Sequence, residues 1–243
     1  MSIESTSIGR IVIPDHLPAG FALFYTTVDF PGRLTDGIAA SITALIAQRF
    51  GIEATLTTCT QVHGAAVRRA QHEREWQECD SCDALWSATA GTAIAIKVAD
   101  CLPVTLIDPA ARVMANIHSG WRGTVQKITA AALDSIERET SFDPPRAHAW
   151  LGPSIRACCF EVGEEVVDQF RAVYADADTF IDRSKAKPHI DTVGLTRALL
   201  RERGLADAHI HDTGLCTRCD GSIFHSYRRD GGGGGRNLAI AAM

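Results

Sequence analysis

The chain has 243 residues, 46% hydrophobic and 22% charged, which suits one large globular domain with a sizeable core. Its 24 Lys and Arg against 29 Asp and Glu leave a net charge of -5, so neither nucleic acid nor a membrane is expected as a partner. No apolar run approaches the roughly 20 residues that span a bilayer, Met1 to Pro14 lacks the pattern of a signal peptide, and eight cysteines are too sparse for a disulfide scaffold, so a cytoplasmic protein with reduced thiols is expected.

In chain order, Phe21 to Val28 is aromatic and β-branched and reads as a strand. A helix follows, with Asp36 as its cap, Ile38, Ile42, Leu45 and Ile46 on one face, and Gly51 at its end. Glu53 to Thr60 and Thr92 to Val98 read as strands, the second mostly buried. Val104 to Ile107 and Arg112 to Ile117 flank the turn signal Asp108-Pro109-Ala110-Ala111, which predicts a hairpin. Thr124 to Glu139 is a predicted helix, Ala147 to Leu151 a short strand, and Val162 to Tyr174 and Leu195 to Arg203 further helices. Strands adjacent in hairpins favour an α+β fold, a mixed and largely antiparallel sheet packed by helices, over a strictly alternating parallel one. No repeat or long linker divides the chain, so residues 1–243 are expected to form a single domain.

Three segments place a His or Cys where an apolar strand meets a polar turn: Gln61-Val62-His63-Gly64, Val98-Ala99-Asp100-Cys101-Leu102-Pro103 and Ile117-His118-Ser119-Gly120-Trp121-Arg122-Gly123-Thr124. Two imidazoles and a thiolate make a three-ligand zinc set with a fourth position left for water or substrate. A buried strand Cys with two surface histidines fits the same residues, since 38 positions separate His63 from Cys101 and 17 separate Cys101 from His118. Gly120 and Gly123 permit close backbone approach, and Arg122 is a fork-shaped anion donor near a helix start at Thr124. That combination reads as an anion cradle or as a simple strand-to-helix turn. Phe224 to Asp230, the Gly231 to Gly235 run and Arg236 add anion donors that either close over the site or form a solvated tail. Two CxxC pairs, Cys79/Cys82 and Cys216/Cys219, are spaced to build a four-cysteine zinc site, although neither contains or is followed by a knuckle glycine. Cys158-Cys159 reads most simply as a buried vicinal pair beside Phe160.

Taken together and in order, these motifs resemble the bacterial laccase-domain proteins, named multicopper polyphenol oxidases and also YfiH-like. The matching segments are Gln61 to Gly64, Asp83-Ala84-Leu85, Ala99 to Val104, His118 to Thr124, Gly152 to Ile155 through Cys159 to Gly163, and Ser226 to Asp230 with Gly235-Arg236. The resemblance implies a metal site at His63, Cys101 and His118, which are also the expected catalytic residues, holding zinc with copper as the alternative. It implies phosphorolysis of adenosine, inosine and methylthioadenosine, with adenosine deaminase activity in the same family. The expected partners are a purine nucleoside and phosphate, with Ser119, Gly120, Arg122 and Arg229 at the substrate, in a monomer or homodimer. Asp100 and His118 are the candidate proton carriers. The oxidase name fits poorly, because copper clusters of that kind need several His-x-His pairs and this chain has one, His209-Ile210-His211. After Thr26-Thr27 the family's usual Arg and Gly-Gly-Val-Ser stretch is replaced by Val28-Asp29-Phe30-Pro31-Gly32. Two other readings use the same three residues: a Cys-His amidase or hydrolase in peptidoglycan precursor editing, with Cys101 as nucleophile and His118 as base, and a metal-binding module without catalysis.

Overall fold

The computed structural model describes residues 1–30, 34–70 and 77–243. Strands β1 (Ser2–Thr6), β2 (Gly9–Ile13) and β3 (Ala22–Thr26) precede helix α1 (Asp36–Phe50). Then come β4 (Thr55–Cys59), β5 (Val67–Arg69), β6 (Gln77–Cys79), β7 (Ala84–Ser87), β8 (Thr92–Val98), β9 (Leu102–Asp108) and β10 (Val113–Ser119). Helices α2 (Trp121–Val125) and α3 (Ile128–Glu139), strand β11 (His148–Leu151), helix α4 (Glu164–Val173) and the small ribbon β12 (Ile181–Asp182) and β13 (His189–Ile190) follow. Helix α5 (Thr192–Glu202), β14 (Ile210–Asp212), the short α6 (Tyr227–Asp230) and β15 (Asn237–Ala242) complete the order.

The α+β class is as expected, but the strands form two large sheets rather than one. The first has the order β1-β2-β3-β15-β8-β4-β6 and the second β14-β11-β9-β10-β7-β5. Most pairs are antiparallel; β4 runs parallel to β8 and β6, β11 to β14, and β5 to β7. The central strands are buried on both faces, and the layer into which successive side chains pack alternates with the two-residue period of a pleated sheet. In β8, Ile94, Ile96 and Val98 pack between the sheets with Leu85, Met114 and Trp150 of the second sheet, whereas Ala93 and Ala95 pack outward against α1. The outer face of the second sheet is covered by Ile128, Ala132, Leu133 and Ile136 of α3 and Val193 and Leu200 of α5. The result is a sandwich of two sheets with helices on both outer faces.

One polar residue ties the sheets together. Asn116 on β10 is fully buried; its amide donates to the carbonyls of Ala239 (2.8 Å) and Ile94 (3.3 Å) on the first sheet, and its oxygen accepts from Thr105 (3.0 Å). The amide nitrogen donates twice and the oxygen accepts once, which offsets the cost of burying the side chain.

Local signals held with two adjustments. Thr35, not Asp36, caps α1: its hydroxyl accepts from the Ile38 N–H, while Asp36 is the first helical residue. There its charge still favours the positive end of the helix. Gly51 ends α1 in the left-handed conformation at φ 68°, as expected. The predicted helix from Thr124 to Glu139 is two helices, because the chain turns at Lys127, whose φ is 58°. The predicted hairpin is β9–β10, with Asp108 Oδ1 accepting from the N–H groups of Ala110 and Ala111 in its turn. Among the described residues no helix is long and apolar enough to cross a membrane.

The single His-x-His pair lies at the β11–β14 edge of the second sheet. His211 Nε2 is 3.0 Å from His148 Nδ1, and His16 and His209 stack on the same group with ring centroids 4.9 and 4.2 Å from His211 and His148 respectively. Burial, then the charges of His148, His16 and His209, push the His211 imidazole down to about 4, from an ordinary 6.5. The folded state therefore binds the proton later than the unfolded chain does. This contribution to stability is present above pH 6.5 and is lost as the pH falls from there through about 4. Partial exposure screens the effect, so the expected loss is on the order of 1–2 kcal/mol. Urea unfolding should show a lower midpoint at about pH 5 than at about pH 7.5, and His211→Asn should flatten that dependence. Equal slopes in the two proteins would contradict the assignment.

Candidate metal and substrate site

The pairing of β7 with β10 positions the site. In this register Ala84 lies opposite Ile117, so Asp83, just before β7, meets His118 at the end of β10. The His118 N–H donates to the Asp83 carbonyl (2.7 Å), and its Nδ1 lies 2.8 Å from Asp83 Oδ1. The fully buried Asp83 carboxylate also accepts the backbone N–H groups of Gly64 (2.8 Å), His63 (2.9 Å) and Val62 (3.2 Å). Burial alone would raise this carboxyl; the hydrogen bonds from His118 and Gly64 lead the opposing effects and hold it below the usual carboxylate range.

This arrangement fixes two of the three predicted ligands. His118 turns Nδ1 to Asp83, which leaves Nε2 for the site. His63 is held at φ 59°, a left-handed conformation costing a non-glycine residue about 1 kcal/mol or more, offset here by the amide bonds to Asp83. Cys101 enters from the turn between β8 and β9 and is half-buried. The ligand atoms of His63, Cys101 and His118 all lie within 4.8 Å of one another, and the two imidazole rings meet edge to face with centroids 4.9 Å apart. Gly120 is required beside them, since a Cβ there would lie 2.8 Å from Cys101 Sγ and 3.4 Å from His63 Cδ2. Two imidazoles and a thiol converging in this way, one imidazole braced through its other nitrogen by a carboxylate, fit a zinc-type ion.

The protonation states of the bare site are coupled. Burial would raise the Cys101 thiol, but hydrogen bonds from His118 and His63 and their charges outweigh it and bring it down to about 6. Burial would lower His118, but its bonds to Asp83 and Cys101 raise it to about 9. Near neutral pH the pair is therefore thiolate and imidazolium.

The three residues open into a cavity of about 660 Å³. Ser119, Trp121 and Arg122 line it, as do Phe160, Tyr227, Arg228 and Arg236. Arg122 lies over the Trp121 ring at 4.4 Å, Arg228 over Phe160 at 5.7 Å and Arg236 over Tyr227 at 6.0 Å. Arg228 also donates to the Glu161 carbonyl, and Arg236 to those of Gly234 and Gly235. Arg122 has no hydrogen bond or ion pair with its guanidinium among the described residues.

Other expectations require adjustment. Arg229 does not line the cavity: its guanidinium is bonded to Asp230 and to the carbonyls of Thr217, Arg218 and Phe224. The neighbouring Arg228 and Arg236 face the cavity instead. Ser119 shares a hydrogen bond with Thr124 (2.9 Å), so its hydroxyl braces the turn. The helix after this turn begins at Trp121 and has five residues, not the long helix from Thr124 that the cradle assumed. Asp100, a candidate proton carrier, lines the cavity with both oxygens engaged: Oδ1 accepts from the Thr217 hydroxyl and Oδ2 from the Arg228 N–H, each at 2.6 Å. It too is held in the left-handed region, at φ 83°. Thr26 to Phe30 of the divergent segment line no part of the cavity, and Pro31 and Gly32 lie outside the described residues.

Residues 37–243 match the family described as multi-copper polyphenol oxidoreductase laccase. The chain belongs to this family. A purine nucleoside phosphorylase of Deinococcus radiodurans is 39% identical over 184 residues, covering 75% of this chain and 68% of that protein. An adenosine deaminase, RL5, from an unknown prokaryotic organism is 38% identical over 161 residues, covering 65% of this chain and 61% of that protein. The matched part thus spans about two thirds of these curated relatives. The fold is that of the YfiH protein of Bacillus licheniformis, with a TM-score of 0.80 at 23% identity over 92% of both chains. Despite the family's name, the His209–His211 pair belongs to a cluster separate from His63 and His118.

Asp83→Asn removes the carboxylate charge from behind His118 while keeping its size. Zinc affinity should fall about 10- to 100-fold in competition with a chromophoric chelator. Unchanged affinity would mean that Asp83 serves folding alone.

Proposed function

We propose that the chain is a metal-dependent purine nucleoside phosphorylase acting on adenosine, inosine and methylthioadenosine, with zinc at His63, Cys101 and His118. The observation that carries this reading is Arg122, which stacks on Trp121, has no hydrogen-bond or ion-pair partner for its guanidinium among the described residues, and lines the same cavity as the three-residue centre. A nucleoside of this class needs aromatic surface for the base and a cation for phosphate, and the cavity joins both in one volume suited to a small ligand. The names of the phosphorylase and deaminase relatives support the same substrate class. The set of one thiolate and two imidazoles suits zinc, and copper(I) shares its taste for soft donors. When bound, the metal supplies Lewis acidity at the cavity floor.

In this reading Arg122 holds phosphate beside the ribose. A phosphate oxygen forms the bond to C1′ as the bond from C1′ to the purine nitrogen breaks, and the base leaves with the electron pair. Phe160, Trp121 and Tyr227 supply faces for the base, and Asp100 keeps Arg228 in the wall opposite. Deamination uses the same pocket with water in place of phosphate. The chain has neither the His-x-Glu nor the Pro-Cys-x-x-Cys segment of other zinc deaminases.

Inosine and phosphate with zinc-loaded protein should yield ribose 1-phosphate and hypoxanthine. Arg122→Ala should raise the KM for phosphate about 10- to 100-fold with a smaller change for the nucleoside. Absence of ribose 1-phosphate would overturn the reading.

One geometric feature favours a second reading. Asp83, His118 and Cys101 form a carboxylate, imidazole and thiol chain of the kind that activates a cysteine nucleophile. A hydrolase or amidase built on it would attack through Cys101 and would remain active under chelation. In either case metal-free protein should be alkylated at Cys101 by iodoacetamide at a rate that rises through about pH 6, well below the ordinary thiol near about 8.5. A midpoint above about pH 8 would contradict the thiolate–imidazolium pair. Activity that survives chelation selects the hydrolase; activity that chelation abolishes and zinc restores selects the phosphorylase.

A further inference from the structure

A second group of thiols has no part in the centre described above. The sequence offered two CxxC pairs as one site, but the fold separates them. Cys82 lies with Cys59 and Cys79 in the core between the sheets. Cys216 and Cys219 instead meet the vicinal pair Cys158-Cys159.

The four sulfurs are closely spaced. Cys158 Sγ lies 3.6, 3.7 and 3.8 Å from those of Cys159, Cys216 and Cys219, and Cys159 lies 3.3 Å from Cys219. All four fall within 4.8 Å of one another. A zinc ion with four thiolates at about 2.3 Å requires edges of about 3.8 Å between sulfurs. A disulfide requires about 2.05 Å, so no pair in the group is bonded. The sulfurs are also too close together to surround a multi-iron cluster.

The backbone around them is already arranged for a metal. The Cys216 sulfur accepts backbone hydrogen bonds from Cys219, Arg156 and Arg218. Bonds from the second and third residues after the first cysteine are the knuckle geometry of CxxC metal loops, and the loop forms it without an internal glycine. The Asp220 N–H closes the turn on the Cys216 carbonyl (2.8 Å), and Asp220 Oδ2 accepts the Cys216 N–H (3.0 Å). On the other side, the Cys159 and Phe160 N–H groups both donate to the Arg156 carbonyl, and Lys185 Nζ donates to the Cys158 carbonyl (3.1 Å), placing a cation beside a group that carries excess negative charge once its thiols ionise.

We propose that Cys158, Cys159, Cys216 and Cys219 form a second, structural metal site that holds one tetrahedral zinc ion. Four protein ligands close the coordination sphere, which separates this site from the three-ligand centre with its open position. Binding converts the four thiols to thiolates and releases their protons to solvent. The two loops already meet at the Ser154–Cys216 bridge and in the apolar cluster of Ile155, Cys159, Phe160 and Cys216, and the metal would add one more tie between them. Both loops reach the cavity: Phe160 follows Cys159 and lies under Arg228, and Thr217 follows Cys216 and donates to Asp100 beside Cys101.

The test uses the full-length chain in three forms: wild type, Cys101→Ser and Cys219→Ser. Each is purified under reducing conditions, loaded with zinc and freed of excess. Elemental analysis should find about two zinc ions in the wild type and about one in each variant. Cobalt(II) should give the intense visible bands of a tetrahedral four-thiolate complex in Cys101→Ser and not in Cys219→Ser. Cys219 is exposed, so its loss need not disturb the core. Chelation of Cys101→Ser, which keeps all four cysteines of the group, should lower its thermal midpoint. A folded, reduced Cys101→Ser that retains no zinc and gives no cobalt–thiolate spectrum would overturn the proposal, as would a disulfide within the four in that sample. None of these readouts depends on the nucleoside activity.

Discussion

The site rests on one buried carboxylate. Asp83 gathers three consecutive backbone N–H groups, from Val62 to Gly64, and the Nδ1 of His118. A buried anion with fewer donors would be costly or would take up a proton. With these four it stays charged, and the same bonds place both imidazoles. Its own position follows from the β7–β10 register. Because a strand's side chains alternate faces, a slip of one residue would turn Asp83 away from His118. The geometry of the centre is therefore set by sheet pairing before any metal is present.

The same logic places the cavity at one end of the sandwich. Between the sheets lie apolar side chains and the Asn116 link. At the ends of β8 and β10 the strands stop and polar turns begin, so Cys101 and His118 stand at the rim of a rigid core. Gly120 admits the Cys101 sulfur, and Gly123 lets α2 approach the Gly64 carbonyl, where a Cβ would lie at 3.2 Å. Precision comes from backbone packing against backbone, which loops alone do not supply.

What the sequence made legible was local. Turn chemistry marked β9–β10, the period-two pattern marked β8, and the strand-to-turn transitions marked His63, Cys101 and His118. The second sheet was hidden because alternation says which face is buried but not what buries it. Asp83 stood out only as part of a family motif, since a lone Asp before a short strand has no spacing rule that ties it to a histidine 35 positions later. Arg229 was favoured over Arg228 and Arg236 because composition cannot say which way a four-residue helix turns its side chains. The cysteine pairs failed for a related reason: CxxC spacing identifies a knuckle, but long-range topology chooses its partner.

That topology gives Asp100 an unusual load. It precedes Cys101 in the chain, sits in a strained left-handed conformation, and spends its two oxygens on Thr217 and on the Arg228 N–H. Thr217 lies inside the second thiol loop, while Arg228 opens the wall made by α6. The wall is too short to be stiffened by its own hydrogen bonds, since a four-residue helix has barely one turn. The Asp100 link holds it between the sheet that carries Cys101 and the loop that carries Cys216 and Cys219, and the Arg229 guanidinium ties the same helix to the carbonyls of Thr217, Arg218 and Phe224. The metal proposed for the four thiols would close that loop and hold its end of the link. It would also make the placement of Arg228 in the cavity wall depend on thiols that line no part of that cavity.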